Sequence, residues 1–408
     1  MVLPAAGLQR FLKIIQNGLP VNSEIWKKVT SKNRIEYNCF ASAKSFSSSH
    51  AATKNILFFG TDNFSLQTLK SLNDWINQEK PNDSTSKLTK SEDDRYDITR
   101  LVVCTSQMKD LIQPVKIYAD QNNLKVYQWP LDPAIIKDEG FDIGVVASFG
   151  HLIPKKIIDA FPEGILNVHG SLLPRWRGAS PITHAIMAGD SKTGISIMEV
   201  KPHHFDIGKI LATESVNIGC DQTKDELASK MAKIGGDLMV QVLQDLDNYR
   251  VRSISQDADG VTYAPCINKS FYCIDWNAST SRDVYNQYRA LSESGKLYST
   301  WKETGETVMF TNCLKPDIVD SFVYELKGNN YKPGQVKYHK TRLKKDDGDE
   351  PQDNSKLQWF ICIKCKTGWI AFENFYYGPN KKLSAVDFYN GYISNNKNRK
   401  HFFVKKVN

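Results

Sequence analysis

A pair of polar residues closes an apolar, strand-like run near the middle of the chain. Asn167 and His169 belong to the end of the run that begins at Ile165, and residues two apart on a strand point to the same side. If this strand lies in a parallel sheet, its carboxyl end is at the edge where ligands bind. An amide NH2 and an imidazole can both donate hydrogen bonds to an oxygen that gains negative charge during a reaction. A histidine at a strand end more often has a structural role, so the pair alone leaves both interpretations open.

The residues that follow this pair form a long and specific motif. Residues 170–181 read GSLLPRWRGASP and join the strand to a helix. Together with Asn167 and His169, this motif resembles the catalytic segment of the methionyl-tRNA formyltransferase family. The resemblance extends from about Ile56 to Tyr392 and includes Gly60–Phe64, Phe149–Pro154, Thr193–Met198, Thr262–Pro265, Ile274–Trp276 and Leu383–Phe388.

The resemblance implies a third catalytic residue. In the family an aspartate follows a Thr-Gly-x-x-Ile-Met strand within a Leu-Asp-x-Gly turn, and here the corresponding residues 205–208 read FDIG. Asp206 matches the family aspartate, whereas Phe205 replaces the leucine. Without Asn167 and His169, an aspartate in such a loop would be interpreted as an ordinary turn residue.

These three residues suit formyl transfer to a primary amine. When the amine attacks the formyl carbon, the carbonyl oxygen becomes an alkoxide that Asn167 and His169 can stabilise. Asp206 can favour the protonated imidazole and can accept a proton from the attacking amine, directly or through a water. The reaction requires no metal and no covalent enzyme intermediate. The resemblance implies 10-formyltetrahydrofolate as the formyl donor and initiator Met-tRNA as the acceptor.

Two sets of binding residues are expected, the folate set from the resemblance and the tRNA set from the basic side chains themselves. The folate is expected against the loop after the fourth strand and against an apolar wall after the catalytic strand, although the leucines of that wall could equally be packing residues. The expected folate-binding residues are Gly60, Ala147, Ser148, Phe149, Gly150, Ser171, Leu172, Leu173 and Pro174. Basic side chains suit RNA phosphates. The expected tRNA-binding residues are Arg175, Arg177, Lys381 and Lys382, although the two arginines could instead be solvated charges of the loop. Relatives commonly insert a long basic loop after the second strand, but residues 105–110 form a short one here.

Charge is distributed unevenly along the 408 residues. Residues 1–50 carry 7 basic and 2 acidic side chains and residues 268–408 carry 23 and 15, whereas residues 51–267 are net acidic. Residues 1–23 contain no acidic side chain and form a basic amphipathic helical pattern, which a serine-rich stretch follows. This composition is typical of a mitochondrial presequence. We therefore expect import into the mitochondrial matrix, with a merely disordered tail as the alternative.

Two other classes of protein fit the sequence poorly. No apolar run approaches the roughly 20 residues that a membrane-spanning helix needs, so no membrane span is expected. The eight cysteines are spread over a large chain, unlike the disulfide framework of a small secreted domain. Cys362 and Cys365 form a CxxC motif, but no second pair at ligand spacing accompanies it, so no metal site is predicted.

The alternation of strands and helices predicts the fold. After Lys54, apolar strands alternate with helices, which predicts an α/β domain with a Rossmann-like, mostly parallel sheet. Beyond the middle of the chain, short strands predict a small OB-like β-barrel. The expected order is a presequence and disordered tail at 1–50, a catalytic domain at 54–246, a linker at 247–269 and a basic tRNA-binding barrel at 270–408.

The catalytic residues alone leave the acceptor open. The alternatives are formylation of glycinamide ribonucleotide or of an amino sugar nucleotide, hydrolysis of formylfolate, and a tRNA-binding module whose catalytic domain is inactive. The basic barrel favours a tRNA acceptor. The intact set of Asn167, His169 and Asp206 argues against an inactive module. We expect a monomer without a membrane partner.

Overall fold

The structure is a computed structural model of the chain. It describes residues 53–78, 97–106, 113–323, 330–341, 357–378, 381–394 and 400–405. The expected presequence, residues 1–50, lies outside the described residues. None of the described helices combines the length and the apolar character that crossing a membrane requires.

A seven-stranded sheet forms the first half of the described chain. Its strands are β1 (Thr53–Phe59), β2 (Asp97–Ser106), β3 (Val126–Trp129), β4 (Ile143–Ala147), β5 (Ile165–His169), β6 (Lys192–Glu199) and β7 (Ile210–Asn217). They lie in the order β3-β2-β1-β4-β5-β6-β7. The first five strands pair in parallel, whereas β6 and β7 are antiparallel. The carboxyl ends of β1, β4 and β5 therefore meet at one edge.

Helices cover both faces of this sheet. They are α1 (Asn63–Gln78), α2 (Pro114–Gln121), α3 (Pro133–Asp138), α4 (Lys155–Ile158), α5 (Pro181–Met187), α6 (Lys224–Gln244) and α7 (Leu246–Val251). Neighbouring residues of a strand point to opposite faces. Phe58 and Phe59 accordingly enter two different apolar clusters, one on each face.

Helix α6 packs directly on β5. A capping box begins the helix, because Thr223 accepts a hydrogen bond from the backbone of Glu226 and the Glu226 side chain accepts one from the backbone of Thr223. A Cβ at Gly235 would lie 2.7 Å from Cγ1 of Val168, so the helix backbone approaches the strand closely. This contact fixes β5, the strand that carries Asn167 and His169.

A second, antiparallel sheet forms the rest of the described chain. Its strands are β8 (Leu297–Trp301), β9 (Thr307–Cys313), β10 (Val336–Thr341), β11 (Gln358–Lys364), β12 (Trp369–Tyr377), β13 (Lys381–Ser384) and β14 (Phe403–Val404), and its helices are α8 (Ser281–Leu291), α9 (Pro316–Phe322) and α10 (Ala385–Phe388). The order is β10-β11-β12-β9-β8-β14, and β13 pairs with β12. The two ends of this path also meet, because Val336 N donates to His401 O at 3.0 Å and Phe403 N donates to Gly334 O at 2.9 Å. The sheet is therefore a closed barrel.

Aromatic rings fill the barrel. Trp276 is buried, and its Nε1 donates to Ser299 Oγ at 2.8 Å. The Phe310 ring contacts the rings of Phe372 and Phe403 at centroid distances of 4.8 and 5.0 Å. A mostly parallel α/β sheet followed by a closed antiparallel barrel confirms the predicted fold class.

Polar contacts and helix packing join the two sheets. Helix α8 packs on α5. Arg289 of α8 is buried and donates to the carbonyls of Gly219 and Gln222, at 3.2 and 2.8 Å. Lys315 forms an ion pair with Asp221 at 2.9 Å. Residues 53–405 that the structure describes therefore belong to one unit.

Candidate active site

Strand β5 places the predicted donor pair at the edge of the first sheet. It pairs with β4 on one side and with β6 on the other. Asn167 is half-buried, and its side chain has no hydrogen bond to any residue in the described part of the chain. His169 is the last residue of the strand and is only 5% exposed. Asn167 therefore offers a free amide, whereas the imidazole lies inside the protein.

The imidazole of His169 lies between two oxygen atoms. Its Nε2 is 2.9 Å from the carbonyl oxygen of Trp176, and its Nδ1 is 3.5 Å from Oδ1 of Asp206. A carbonyl oxygen can only accept, so Nε2 carries a hydrogen. Nδ1 faces the Asp206 carboxylate, at a distance within ion-pair range. Nε2 is therefore hydrogen-bonded within the protein, and it reaches a substrate oxygen only by giving up its contact with Trp176.

The turn after β6 brings Asp206 to His169. Asp206 has a positive φ of 56°, and its side chain is 9% exposed. While Oδ1 faces the imidazole, Oδ2 accepts a hydrogen bond of 2.8 Å from the backbone N of Gly178. Gly208 lies so close to the carbonyl of Glu199 that a Cβ would overlap it. Asp206 therefore links the histidine to the loop after β5.

The loop after β5 is held by the segment expected to be a linker. Trp176 N donates to Thr262 Oγ1 at 2.9 Å, and Arg177 N donates to Thr262 O at 2.9 Å. Ala264 N donates in turn to Arg177 O at 2.7 Å. At Gly178, where φ is 124°, a Cβ would lie 2.6 Å from Ala264 O. Only glycine permits this approach of two backbones, so residues 247–269 contribute to the shape of the site.

Arg175, expected to bind tRNA, has an internal partner. Its Nε and Nη2 donate to the two carboxylate oxygens of Asp190, at 2.9 and 2.7 Å. This hydrogen bonding raises the pKa of Arg175. Trp176 Nε1 donates to the same carboxylate at 2.8 Å, and the Trp176 ring lies 4.3 Å from the guanidinium. An RNA phosphate would have to displace Asp190 in order to bind these two N–H groups of Arg175.

Arg177, the second expected RNA contact, also has an internal partner. Its Nε and Nη2 donate to Oε1 of Gln256 at 3.0 and 2.6 Å. Sequence reasoning identified neither Gln256 nor Asp190, because each lies outside the motifs and far from its partner along the chain. Thr262 carried a signal, since it begins one of the segments shared with the family.

The loop after β4 supplies a polar network at the same edge of the sheet. Thr61 Oγ1 donates to Ser148 O at 2.9 Å, and Ser148 Oγ donates to the Asp62 carboxylate at 2.5 Å. Ser148 and Gly150 have positive φ values of 43° and 76°. A Cβ at Gly150 would meet no atom within 4 Å. The space beside this loop is therefore open to a ligand.

Three other expected folate residues lie in the core. Ala147 and Phe149 are buried, and the Phe149 ring contacts that of Trp129 at 5.2 Å. A Cβ at Gly60 would lie 2.7 Å from the ring of Phe58. These residues offer a ligand backbone atoms and no side chain.

The residues of the expected apolar wall after β5 also differ in burial. Ser171 is fully buried and donates to a carbonyl of its own loop at 2.6 Å, and Leu173 is 7% exposed. Leu172 and Pro174 are half-buried. The Leu172 side chain packs where a Cβ at Gly194 would overlap it. Leu172 and Pro174 are therefore the members of the wall that a ligand can touch.

The barrel carries the remaining candidates. Lys381 and Lys382 are exposed on β13, and the Lys381 ammonium lies 5.8 Å from the centre of the Tyr392 ring. Cys362 and Cys365 are buried, and burial raises the pKa of each thiol to about 12. Thiols of this kind are protonated and unreactive at neutral pH. Across the described ranges, no group of three or more His, Cys, Asp or Glu side chains is placed to hold a metal ion.

The chain is similar to known formyl-transferring enzymes. A family model described as formyl transferase matches residues 109–243. The mitochondrial methionyl-tRNA formyltransferases of Rattus norvegicus and Homo sapiens are 35% and 34% identical, over 83% of this chain and over 78% and 77% of those proteins. The methionyl-tRNA formyltransferase of Nitratidesulfovibrio vulgaris is 39% identical over 47% of this chain and 59% of that protein.

Solved structures include similar chains as well. The sugar 3N-formyl transferase WlaRD has a TM-score of 0.48 and 16% identity, over 82% of this chain and 100% of that chain. The similarity to the two mammalian enzymes extends over 83% of this chain and over more than three quarters of each of them. This chain therefore belongs to the methionyl-tRNA formyltransferase family.

Proposed function

We propose that this chain transfers the formyl group of 10-formyltetrahydrofolate to the amino group of methionine on initiator Met-tRNA, in the mitochondrial matrix. The observation that carries the proposal is the contact between His169 and Asp206 beside the free amide of Asn167. This group lies at the sheet edge where ligands of α/β proteins bind. The names of the rat and human relatives support the acceptor and the mitochondrial location.

The proposed reaction balances without a further reactant. The amine nitrogen attacks the formyl carbon, and the new C–N bond replaces the bond from that carbon to the folate nitrogen. The amine loses a proton and the folate nitrogen gains one. Asn167 donates to the oxygen that becomes negative, and Asp206 accepts the proton of the amine directly or through a water.

His169 supplies a second donor in this proposal. In the structure its Nε2 bonds to the carbonyl of Trp176. When the substrate oxygen becomes negatively charged, it replaces the neutral carbonyl of Trp176 as the acceptor for Nε2. Hydrogen bonds to charged acceptors are stronger than those to neutral ones. Asp206 stabilises the positive ring during the exchange, because its Oδ1 lies 3.5 Å from Nδ1. The pair therefore acts when charge develops on the substrate.

The proposed folate pocket lies between the loop after β4 and the loop after β5. The open space beside Gly150 and the left-handed backbone at Ser148 support a ligand on the first side. The partial exposure of Leu172 and Pro174 supports an apolar wall on the other side.

The proposed RNA surface is on the barrel. Residues 268–408 carry a net charge of +8, and phosphate contacts by lysine and arginine supply most sequence-independent RNA affinity. Lys381 and Lys382 are exposed and available for such contacts. The guanidinium groups of Arg175 and Arg177 already have internal partners, so the lysines of β13 support this proposal better.

Purified full-length chain incubated with Met-tRNA and formyl-labelled 10-formyltetrahydrofolate tests the proposal. The expected result is label on the amino group of the esterified methionine, recovered after mild hydrolysis of the tRNA ester. Parallel reactions replace Met-tRNA by glycinamide ribonucleotide or by an amino sugar nucleotide. Label on either small acceptor but not on Met-tRNA would overturn the proposed acceptor. Release of free formate without any labelled acceptor would instead identify a formylfolate hydrolase.

A further inference from the structure

The turn that carries Asp206 is not held in place by burial of the neighbouring side chains. Phe205 is 60% exposed and Ile207 is 41% exposed. His203 and Asp206 have positive φ values of 69° and 56°, which residues other than glycine rarely adopt. Such a backbone persists only where surrounding contacts over-determine it. Polar contacts must therefore fix this turn.

A single side chain, that of Gln256, bonds to the turn twice. Its Nε2 donates to the carbonyl oxygens of Asp206 and Gly208, at 2.9 and 2.8 Å. An amide nitrogen carries two hydrogens, so each carbonyl receives one. Gln256 thus fixes the backbone on both sides of Ile207 and sets the direction in which the Asp206 side chain leaves the chain.

Arg177 fixes the other end of the same amide. Oε1 of Gln256 accepts from Nε and Nη2 of Arg177, at 3.0 and 2.6 Å. A guanidinium only donates and a backbone carbonyl only accepts, so one orientation of the amide satisfies both neighbours. The residue after Arg177 is Gly178, whose backbone N donates to Oδ2 of Asp206. The loop after β5 therefore reaches Asp206 by two routes, one of them through Gln256.

Backbone pairing holds Gln256 at this place. Ile254 exchanges two backbone hydrogen bonds, each of 2.9 Å, with Ile210, which begins the strand after the turn. Further along, Thr262 and Ala264 pair with Arg177. The segment that carries Gln256 is thus attached to the site at both ends.

We propose that Gln256 is a positioning residue for formyl transfer, which holds Asp206 against His169, and that Arg177 serves this amide instead of an RNA phosphate. The inference rests on the proposed function, because it assigns a role in the same reaction. Gln256 acts only through Asp206 and needs no contact with either substrate. A neutral amide is required here, since only an amide accepts from a guanidinium and donates to two carbonyls at once.

Gln256→Glu in the full-length chain tests whether the N–H groups of Gln256 position Asp206. The carboxylate still accepts from Arg177, but it has no N–H for the carbonyls of Asp206 and Gly208 and repels both. Displacement of a catalytic group by about 1 Å can cost roughly 100-fold in rate, so kcat should fall by at least about tenfold. The KM for Met-tRNA should remain within about twofold, because no substrate contact is removed. The pH–rate profile should differ from that of the wild type, because the carboxylate beside His169 has moved.

Gln287→Glu is a matched control. Gln287 Nε2 also donates to two backbone carbonyls, those of Phe271 and Cys273, at 2.6 and 3.3 Å, but it lies on α8 and outside the turn. This variant should keep the kcat and the pH–rate profile of the wild type even where its Tm is lower. Parallel losses of kcat in the two variants that follow their losses of Tm would reduce Gln256 to a structural residue and overturn the proposal.

Arg177→Met decides the matter if Gln256→Glu does not fold. The proposal predicts a lower kcat and an unchanged dependence of Met-tRNA affinity on salt. A flatter salt dependence with an unchanged kcat would assign Arg177 to RNA and overturn the proposal, as would wild-type kcat and pH–rate profile in a folded Gln256→Glu protein. An inactive wild type would refute the proposed function and this inference with it, whereas an active wild type matched by Gln256→Glu refutes this inference alone.

Discussion

Substitution of Gly178 by alanine should separate the catalytic geometry from overall stability. The added Cβ would lie 2.6 Å from Ala264 O, where ordinary contacts begin at 3.4 Å, so the two backbones must part by about 0.8 Å. Alanine at a φ of 124° adds a strain of about 1–3 kcal/mol. The same movement stretches the 2.8 Å hydrogen bond from Gly178 N to Asp206. A displacement of this size predicts a fall in kcat of roughly 100-fold.

Gly140→Ala is the control for this experiment. Gly140 also has a positive φ, of 65°, but a Cβ there meets no atom within 4 Å, so the variant adds strain without a clash. Both proteins should lose up to a few degrees in Tm, since the loss is roughly 2–4 °C per kcal/mol for 150–250 residues and smaller for a longer chain. Only Gly178→Ala should lose kcat in steady-state formylation of Met-tRNA. Equal kcat values in the two variants would show that the close approach of Gly178 to Ala264 does not position Asp206.

Three further expectations concern the rest of the chain. Lys381→Gln and Lys382→Gln should each flatten the plot of log Kd for Met-tRNA against log salt by up to about 0.7–0.9, and unchanged slopes would remove β13 from the RNA surface. Because burial raises the thiol pKa of Cys362 and Cys365 to about 12, neither should react with iodoacetamide near neutral pH in native protein, while exposed cysteines react; mass spectrometry reports the sites. Residues 1–50 fused to a fluorescent reporter should carry it into mitochondria, and a diffuse cytosolic signal would refute the presequence.

Regular elements with a strong local pattern could be predicted closely. The apolar strands and helices that alternate after Lys54 predicted the mostly parallel sheet, and the short strands beyond the middle of the chain predicted the barrel. The two-residue strand β14 was not predicted. Its position depends on partners more than 60 residues away in the chain, and a short segment has no periodicity to reveal it.

The residues of the candidate site also differ in whether a local pattern could reveal them. The motif around β5 and the turn of residues 205–208 are local features, so Asn167, His169 and Asp206 could be selected before the structure was known. The partners of Arg175 and Arg177 could not be selected in this way, because the tertiary structure determines which of many similar polar residues lies beside each arginine. Arginine is suited to phosphate, carboxylate and amide oxygens alike, so residue type alone does not separate an RNA contact from an internal one.

We propose that Asn167, His169 and Asp206 together carry out formyl transfer to Met-tRNA. Single-turnover formylation with enzyme in excess, at saturating formyl donor, measures the chemical step in wild type, His169→Ala and Asp206→Asn. We expect the rate of this step to fall by roughly 100-fold or more in each variant, the order lost with one oxyanion donor, while the Kd for Met-tRNA is unchanged. A wild-type rate in folded His169→Ala, or in folded Asp206→Asn, would exclude that residue from the chemical step.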